Sequence, residues 1–277
     1  MSEQWIREIM SRCICTHTEG EEVWLNRRKG YMTATKASAA VGLSSFRSPM
    51  DVYLAWVNPD YKPSFNRAQK LRMRIGSVAE AEILASAATD PNRPGMYTPL
   101  ECDAMLVAHP EYEWAACSPD GLAFSEELGK VVLEVKNTNV NVKHQYTTED
   151  GKPCEPAGYR AQVVYNIACT GADNGILEAS FNGDILYRTI PRDKEEIDWL
   201  FNRAHEFYRA CEAEDELAVF SLIKDGNLRW DAIRKIYARS SSDGVSVADV
   251  ELDEHIAEYK ELSAQLKDVT SRHKILK

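Results

Sequence analysis

Two acids and a lysine stand at a spacing that suits metal-assisted hydrolysis. Ser118-Pro119-Asp120-Gly121 precedes Val131-Val132-Leu133-Glu134-Val135-Lys136, with Glu134 fourteen positions after Asp120. Folded as adjoining strands, residues 118–136 would turn Asp120 back toward Glu134, and the two-residue strand period would put Glu134 and Lys136 on one face. Two carboxylates and a lysine packed in an apolar strand environment are costly unless something compensates the charge. A divalent cation does so, because Mg²⁺ takes a few carboxylate oxygens and fills its other positions with water and substrate phosphate. The backbone carbonyl of Val135 would face such a metal as a further oxygen ligand. The plainer alternative is a surface strand with an ordinary Glu–Lys pair, and Asp before Gly after Pro is, alone, turn chemistry. The two motifs together, with Val131-Val132-Leu133 ahead of the acid, favour the metal site.

These residues need a scaffold, and the pattern supplies one. Val131–Lys136 is β-branched and apolar apart from Glu134 and Lys136, which predicts a buried strand. Met105–Ala108, Trp114–Cys117 and Leu122–Phe124 are shorter apolar runs between turn residues. Ile176–Phe181 and Ile185–Ile190 flank Asn182-Gly183-Asp184, a hairpin signal. Helical spacing covers Thr33–Val41, Pro49–Trp56, Ala68–Ala88, Tyr159–Cys169 and Glu195–Ala213. Residues 1–20 predict a helix followed by a loose polar stretch, and Asp90–Pro99 predicts a loop. Helices outside and strands in the centre make a mixed α/β domain. Ser240-Ser241-Ser242-Asp243-Gly244 predicts a break. Beyond it Tyr259, Leu262, Leu266, Val269, His273 and Leu276 form a heptad-like stripe too short for a stable coiled coil.

The chain has 277 residues, ample for a large core, and a formal charge of −10. No apolar run approaches the roughly 18–20 residues of a membrane helix, which excludes a helical membrane protein. The first ten residues lack the layout of a secretory signal. The acidic total argues against a protein basic all over, yet the charge is uneven. Arg27, Arg28, Lys29, Lys36, Arg47, Lys62, Arg67, Lys70, Arg72 and Arg74 face only Asp51 and Asp60 between Trp24 and Ile75, so this block carries +8 and the remainder −18. Such a block is either an electrostatic footprint for phosphates or a set of solvated helix faces. Seven scattered cysteines, with Cys13 and Cys15 the only close pair, suit reduced thiols in a cytosolic protein. A late trio of cysteines is missing beside Cys211, so no iron–sulfur cluster is expected. The six histidines show no HxH or HxxxH spacing.

With SPDG at 118–121 and LEVK at 133–136, the chain resembles the PD-(D/E)XK nucleases, specifically the bacteriophage lambda exonuclease and YqaJ viral recombinase family. Trp24-Leu25-Asn26-Arg27-Arg28 with Gly30 and Thr33-Ala34-Thr35 matches that family's opening motif. Arg74-Ile75-Gly76 with Glu80 matches its G-xxx-E helix, and Ala161-Gln162-Val163-Val164-Tyr165 its A-Q-x-x-Y helix. Arg188-Thr189-Ile190-Pro191-Arg192 before a long helix is also familiar. The resemblance spans Trp24 to about Ala213. It implies a restriction-endonuclease-like core, a central mixed β-sheet flanked by helices, with a C-terminal helical extension. The expected organisation is an N-terminal segment 1–22, a nuclease domain 23–215 and an extension 216–277 interrupted near 240–244.

The same resemblance implies roles. Asp120, Glu134, the Val135 carbonyl and Glu80 would hold one or two Mg²⁺ ions, with Mn²⁺ as the alternative. Lys136 would orient or deprotonate the attacking water, and Gln162 would help fix water and lysine. Tyr165 would either support the site or simply pack. Arg28, Thr35 and Ser118 match a pocket for a DNA 5′-phosphate, where arginine is a bidentate donor and hydroxyls are neutral ones. Thr35 stands where the family has serine, and it also suits a helix N-cap. The implied activity is exonucleolytic digestion of linear double-stranded DNA, 5′→3′, exposing a 3′ strand for a single-strand annealing protein. Implied too are a homo-oligomer, a trimeric ring, and a phage or prophage protein in the bacterial cytoplasm. Two other functions share the core: a restriction-type endonuclease, which would cut closed circles, and a non-catalytic DNA-binding module, against which the intact acid set weighs.

Overall fold

The computed structural model describes residues 2–58, 60–61, 65–91, 93, 100–101, 105–237, 257–258 and 261. In chain order its elements begin with helix α1 (Ser2–Ser11), strand β1 (Cys13–Cys15) and helices α2 (Glu21–Lys29), α3 (Ala34–Ala40), α4 (Pro49–Val57) and α5 (Arg67–Thr89). Strands β2 (Leu100–Glu101), β3 (Leu106–Ala108), β4 (Ala116–Cys117), β5 (Gly121–Ser125) and β6 (Gly129–Thr138) follow. After a 3₁₀ segment (Val140–Tyr146) come helix α6 (Ala157–Thr170), strands β7 (Asn174–Phe181) and β8 (Asp184–Pro191), and helices α7 (Lys194–Glu212), α8 (Glu216–Leu222) and α9 (Gly226–Tyr237).

The Val131–Lys136 run lies within β6, the central strand of a five-stranded mixed sheet ordered β2-β5-β6-β7-β8. β5 pairs with it antiparallel, setting Gly121 opposite Leu133. β7 pairs parallel, with Glu134 beside Leu177 and Val135 beside Glu178. A parallel neighbour requires a crossover, and α6 is that crossover. The β7–β8 hairpin turns at Asn182 and Gly183, both at positive φ (55° and 103°), as a tight two-residue turn demands.

Burial on both faces explains the unbroken hydrophobicity of β6. On one face Val131, Leu133 and Val135 pack with Ile83 and Leu84 of α5 and Ile176 of β7. On the other lies α6, whose residues from Ala161 to Thr170 are all buried, because α3 and α7 cover the side the sheet does not. Close approach is built into this layer. A Cβ on Gly175 would sit 2.2 Å from Val163, and one on Gly158 would sit 2.6 Å from the carbonyl oxygen of Leu43.

Caps fix the helix starts. Ser48 and Asp51 form a reciprocal capping box on α4 with Pro49 in the first turn, and Asn66 and Gln69 do the same for α5. The loose stretch expected before residue 20 differs from the structure: Cys13–Cys15 is a strand paired with β3 in a second sheet, β1-β3-β4. Three residues carry too little periodicity to announce a strand.

Residues 1–235 make one compact unit. Lys235 closes it by bonding Asp51 (2.7 Å), Asp231 (2.6 Å) and Ser48 Oγ (2.8 Å). Residues 236–277 make a second unit, described at the end of α9 and at helical residues 257, 258 and 261. The 240–244 break and the Tyr259–Leu276 stripe lie outside the described residues, as does most of the Asp90–Pro99 loop. Among the described residues no helix is long and apolar enough to cross a membrane.

Candidate active site

The strand pairing brings the acid motif together. The backbone N–H of Asp120 donates to the Leu133 carbonyl at 3.2 Å, and the Val135 N–H donates to Asp120 Oδ2 at 2.7 Å. Asp120 is thus hung on β6 at two points on either side of Glu134. Lys136, two residues on from Glu134, turns its ammonium to the same face. There Nζ lies 2.5 Å from Glu134 Oε1, 2.9 Å from the Val135 carbonyl oxygen and 3.9 Å from Asp120 Oδ2.

Three oxygens therefore converge on the Lys136 ammonium, and they are three of the four that sequence reasoning assigned to a metal, Glu80 being the fourth. Two carboxylates and a carbonyl are the hard donors Mg²⁺ takes, with room for water and phosphate. Among the described residues no group of three or more His, Cys, Asp or Glu side chains is placed to hold a metal ion by itself. Glu80 of α5 acts on the same place: its carboxyl raises the pKa of Asp120.

Burial dominates the electrostatics. Glu134 is 5% exposed. Desolvation pushes Asp120 up to about 8 against the opposing charge of Lys136, with Glu80 raising it further. Desolvation likewise takes Glu134 up to about 7, again opposed by Lys136. For Lys136 burial acts downward, but the charges of Glu134 and Asp120 outweigh it and hold the ammonium protonated.

The α6 face opposite β6 carries Gln162 and, one turn later, Asn166. Gln162 is buried, and among the described residues its amide makes no hydrogen bond. Asn166, which sequence reasoning missed, is fully buried and donates from Nδ2 to Glu134 Oε2 at 2.8 Å. A polar residue four positions after Gln162, among Val163, Val164, Ile167 and Ala168, was the available signal. Tyr165 is also fully buried, stacks on Phe201 with centroids 4.6 Å apart, and donates its hydroxyl to the Met32 carbonyl at 2.5 Å. It packs, and it also ties α6 to the segment that leads into α3.

Arg28 is within electrostatic reach of this centre. Desolvation lowers its pKa, while the charges of Glu134 and Asp120 raise it and that of Arg47 lowers it again. Its plane covers the Trp24 ring at 4.7 Å. The Ser118 hydroxyl is buried and makes no hydrogen bond among the described residues, and the same holds for Thr33 Oγ1. Thr35 differs: its side chain is exposed on α3. The N-cap of that helix is Thr33, not Thr35, because Thr33 holds the extended backbone (φ −105°, ψ 167°) that a cap requires.

The basic block divides. Arg67, Lys70, Arg72 and Arg74 are exposed on the first half of α5. Lys36 turns inward and bonds the carbonyls of Arg28 (3.1 Å), Lys29 (2.8 Å) and Tyr31 (2.8 Å), closing the C-terminal end of α2. Burial, with Arg28 and Arg47 nearby, takes its pKa down to about 7.

Comparison with known proteins agrees with this geometry. The chain is 22% identical over 257 residues to the uncharacterized protein YqaJ of Bacillus subtilis strain 168, covering 91% of this chain and 75% of that one. Its fold is similar to the crystal structure of an alkaline exonuclease, LHK-Exo, from Laribacter hongkongensis, at 20% identity and a TM-score of 0.53, over 79% of this chain and 100% of that one. LHK-Exo in complex with dAMP gives 19% identity and the same TM-score over 78% and 99% of the two chains. The architecture is the mixed α/β fold of PD-(D/E)XK type. The model of the YqaJ-like viral recombinase domain matches residues 23–173, from before Arg28 to beyond Asn166, and the chain belongs to that family.

Proposed function

We propose that this chain is a Mg²⁺-dependent exodeoxyribonuclease that digests one strand of linear double-stranded DNA, 5′→3′. The observation that carries this reading is the convergence of Asp120 Oδ2, Glu134 Oε1 and the Val135 carbonyl on the Lys136 ammonium, within electrostatic reach of Arg28. These oxygens, with Glu80 at Asp120, would hold Mg²⁺, or Mn²⁺ in its place, as one or two ions; the metal would supply Lewis-acid activation of water and phosphate. Lys136, held as an ammonium, orients the water and offsets charge on the attacked phosphate. Gln162, on the α6 face toward β6, would help fix that water. Arg28 and Ser118 would bind a terminal 5′-phosphate, Arg28 as a charged donor and Ser118 through its free hydroxyl. Thr35, exposed at the start of α3, would contact the strand end.

The exposed half of α5 supports a duplex partner. From Asn66 to Ala79 there is no acidic residue, and Glu80 follows on the same helix. Thirteen residues of helix rise about 20 Å, so the cations run from the acids along the length of several base pairs. The dAMP complex of LHK-Exo shows a nucleotide bound to a protein of this fold. Family membership supports the remaining parts: a ring-forming homo-oligomer, a single-strand annealing partner for the exposed 3′ strand, and action inside the bacterial host of a phage or prophage.

Digestion of linear duplexes labelled at one 5′ or one 3′ end, with and without a 5′-phosphate, tests the reading. Release of mononucleotides from phosphorylated 5′ ends, with closed circles left intact, is expected. Linearised circles would make the chain an endonuclease, and no hydrolysis of any DNA with Mg²⁺ or Mn²⁺ would remove the enzyme.

A further inference from the structure

We infer that Asn166 is the positioning residue of Glu134, setting which carboxylate oxygen faces the metal site and so the affinity of that site for its divalent cation. This inference rests on the proposed metal-dependent reading. The two oxygens of Glu134 are divided between partners: Oε1 points to the Lys136 ammonium among the proposed ligands, and Oε2 accepts from Asn166 Nδ2 at 2.8 Å. A carboxylate on a single-bonded stem rotates freely unless its rear oxygen is fixed. Asn166 fixes it from a second element, α6, whose backbone is itself buried between sheet and helices.

The amide has one usable orientation. Reversed, it would set Oδ1 against Oε2, two acceptors with no proton between them. In the orientation present, Oδ1 is buried and makes no hydrogen bond among the described residues, a cost accepted in order to aim Nδ2 at the acid. Thr170, one turn further, donates its hydroxyl to the Asn166 carbonyl at 2.7 Å and keeps this turn of α6 closed. No other side chain bonds Glu134 Oε2 among the described residues, so the orientation of the acid rests on this donor together with Lys136 at Oε1. Outer groups that orient metal-binding carboxylates are typically worth about 10–100-fold in metal affinity.

The test is calorimetric titration of Mn²⁺ alone into the full-length protein, without DNA, for wild type, Asn166→Leu and Asn166→Ser. Leucine keeps the branched shape, in a larger volume, and removes the donor; serine is the smaller substitution should leucine fail to fold. Melting temperatures are recorded alongside. Either folded variant is expected to weaken Mn²⁺ binding about 10–100-fold. The Mg²⁺ concentration for half-maximal DNA cleavage should rise by the same factor, while the rate at saturating Mg²⁺ returns to within a few-fold of wild type. A purely structural residue would change the melting temperature and leave the metal titration alone. Metal affinity within about twofold of wild type in a folded variant, with a normal wild-type control, overturns this inference only. A wild-type protein that neither binds Mn²⁺ nor cleaves DNA overturns the nuclease reading and this inference with it.

Discussion

Val135 donates its backbone N–H to Oδ2 of Asp120 at 2.7 Å, so the strand that carries Glu134 and Lys136 also holds the other acid. The return bond, from the Asp120 N–H to the Leu133 carbonyl, brackets Glu134 from its other side. The spacing of the two carboxylates is set by backbone hydrogen bonding, not by loosely packed side chains. A site made this way keeps its geometry through substitutions of the side chains that act in it.

Lys136→Ala follows from that. The fold should survive, with a melting temperature within a few degrees of wild type, because β6 keeps its pairing on both sides. Hydrolysis should fall by at least about 100-fold, the usual scale for losing a positioned proton-handling group. Mn²⁺ binding should persist, since the ligand oxygens remain. A purified variant that digests DNA at the wild-type rate would show the site to be wrongly assigned.

Metal binding should strengthen as pH rises. Desolvation places the Asp120 and Glu134 carboxyls at about 8 and about 7, and cation binding requires both ionised. The same carboxyls ionise near 4 in the unfolded chain, so the metal-free protein loses this part of its stability as pH rises from about 4 through about 8. Added Mg²⁺ should offset that loss. The melting-temperature increase on adding Mg²⁺ should therefore grow from about pH 6 to about pH 8. An increase independent of pH across this range would contradict the buried-acid account.

Replacing Arg67, Lys70, Arg72 and Arg74 of α5 with alanine should weaken duplex binding without altering the metal titration. Every phosphate that is no longer neutralised reduces the slope of log K against log salt by about 0.9, so the slope should become shallower by up to about 3.6. Fluorescence anisotropy with a labelled duplex over a salt series measures it. An unchanged slope would place the duplex elsewhere.

Gly158→Ala should destabilise by about 1–3 kcal/mol, the range for forcing extra volume into packed structure. The new Cβ would meet the Leu43 carbonyl oxygen at 2.6 Å, and a backbone oxygen does not swing aside. Because α6 carries Gln162 and Asn166, metal affinity should fall together with stability. Thermal melting and the Mn²⁺ titration test both; a variant as stable as wild type would mean that the α3–α4 connection yields easily.

The chemistry was legible in the sequence where its scaffold is apolar. Glu134 and Lys136 stand out because Val131, Val132, Leu133 and Val135 are buried around them. Asp120 could be linked to them because its turn ends one strand short. Asn166 was only weakly legible: its place one turn after Gln162 marks the helix face, but its partner lies on a strand 32 residues earlier. Thr33 and Thr35 offer the same hydroxyl two residues apart, and only the backbone torsions separate cap from helix. Charge counting failed in a third way. Lys36 and the arginines of α5 contribute equally to the total, yet Lys36 is tied to three carbonyls while the α5 group faces solvent.

The Tyr165–Met32 bond joins parts of the chain that lie 133 residues apart in sequence. Behind Tyr165 lies a contiguous β6–α6–β7 cassette that contains Glu134, Lys136, Gln162 and Asn166. Behind Met32 lies the N-terminal segment that contributes Arg28, Thr33 and Thr35. On the proposed reading, most of the hydrolytic side chains and most of the end-binding ones therefore lie in different parts of the chain, with Glu80 and Ser118 crossing that division. The Tyr165 phenol and the Ser38 hydroxyl, which donates to the Gly158 carbonyl at 3.0 Å, both couple these regions, so loosening either bond would shift Arg28 relative to the acids.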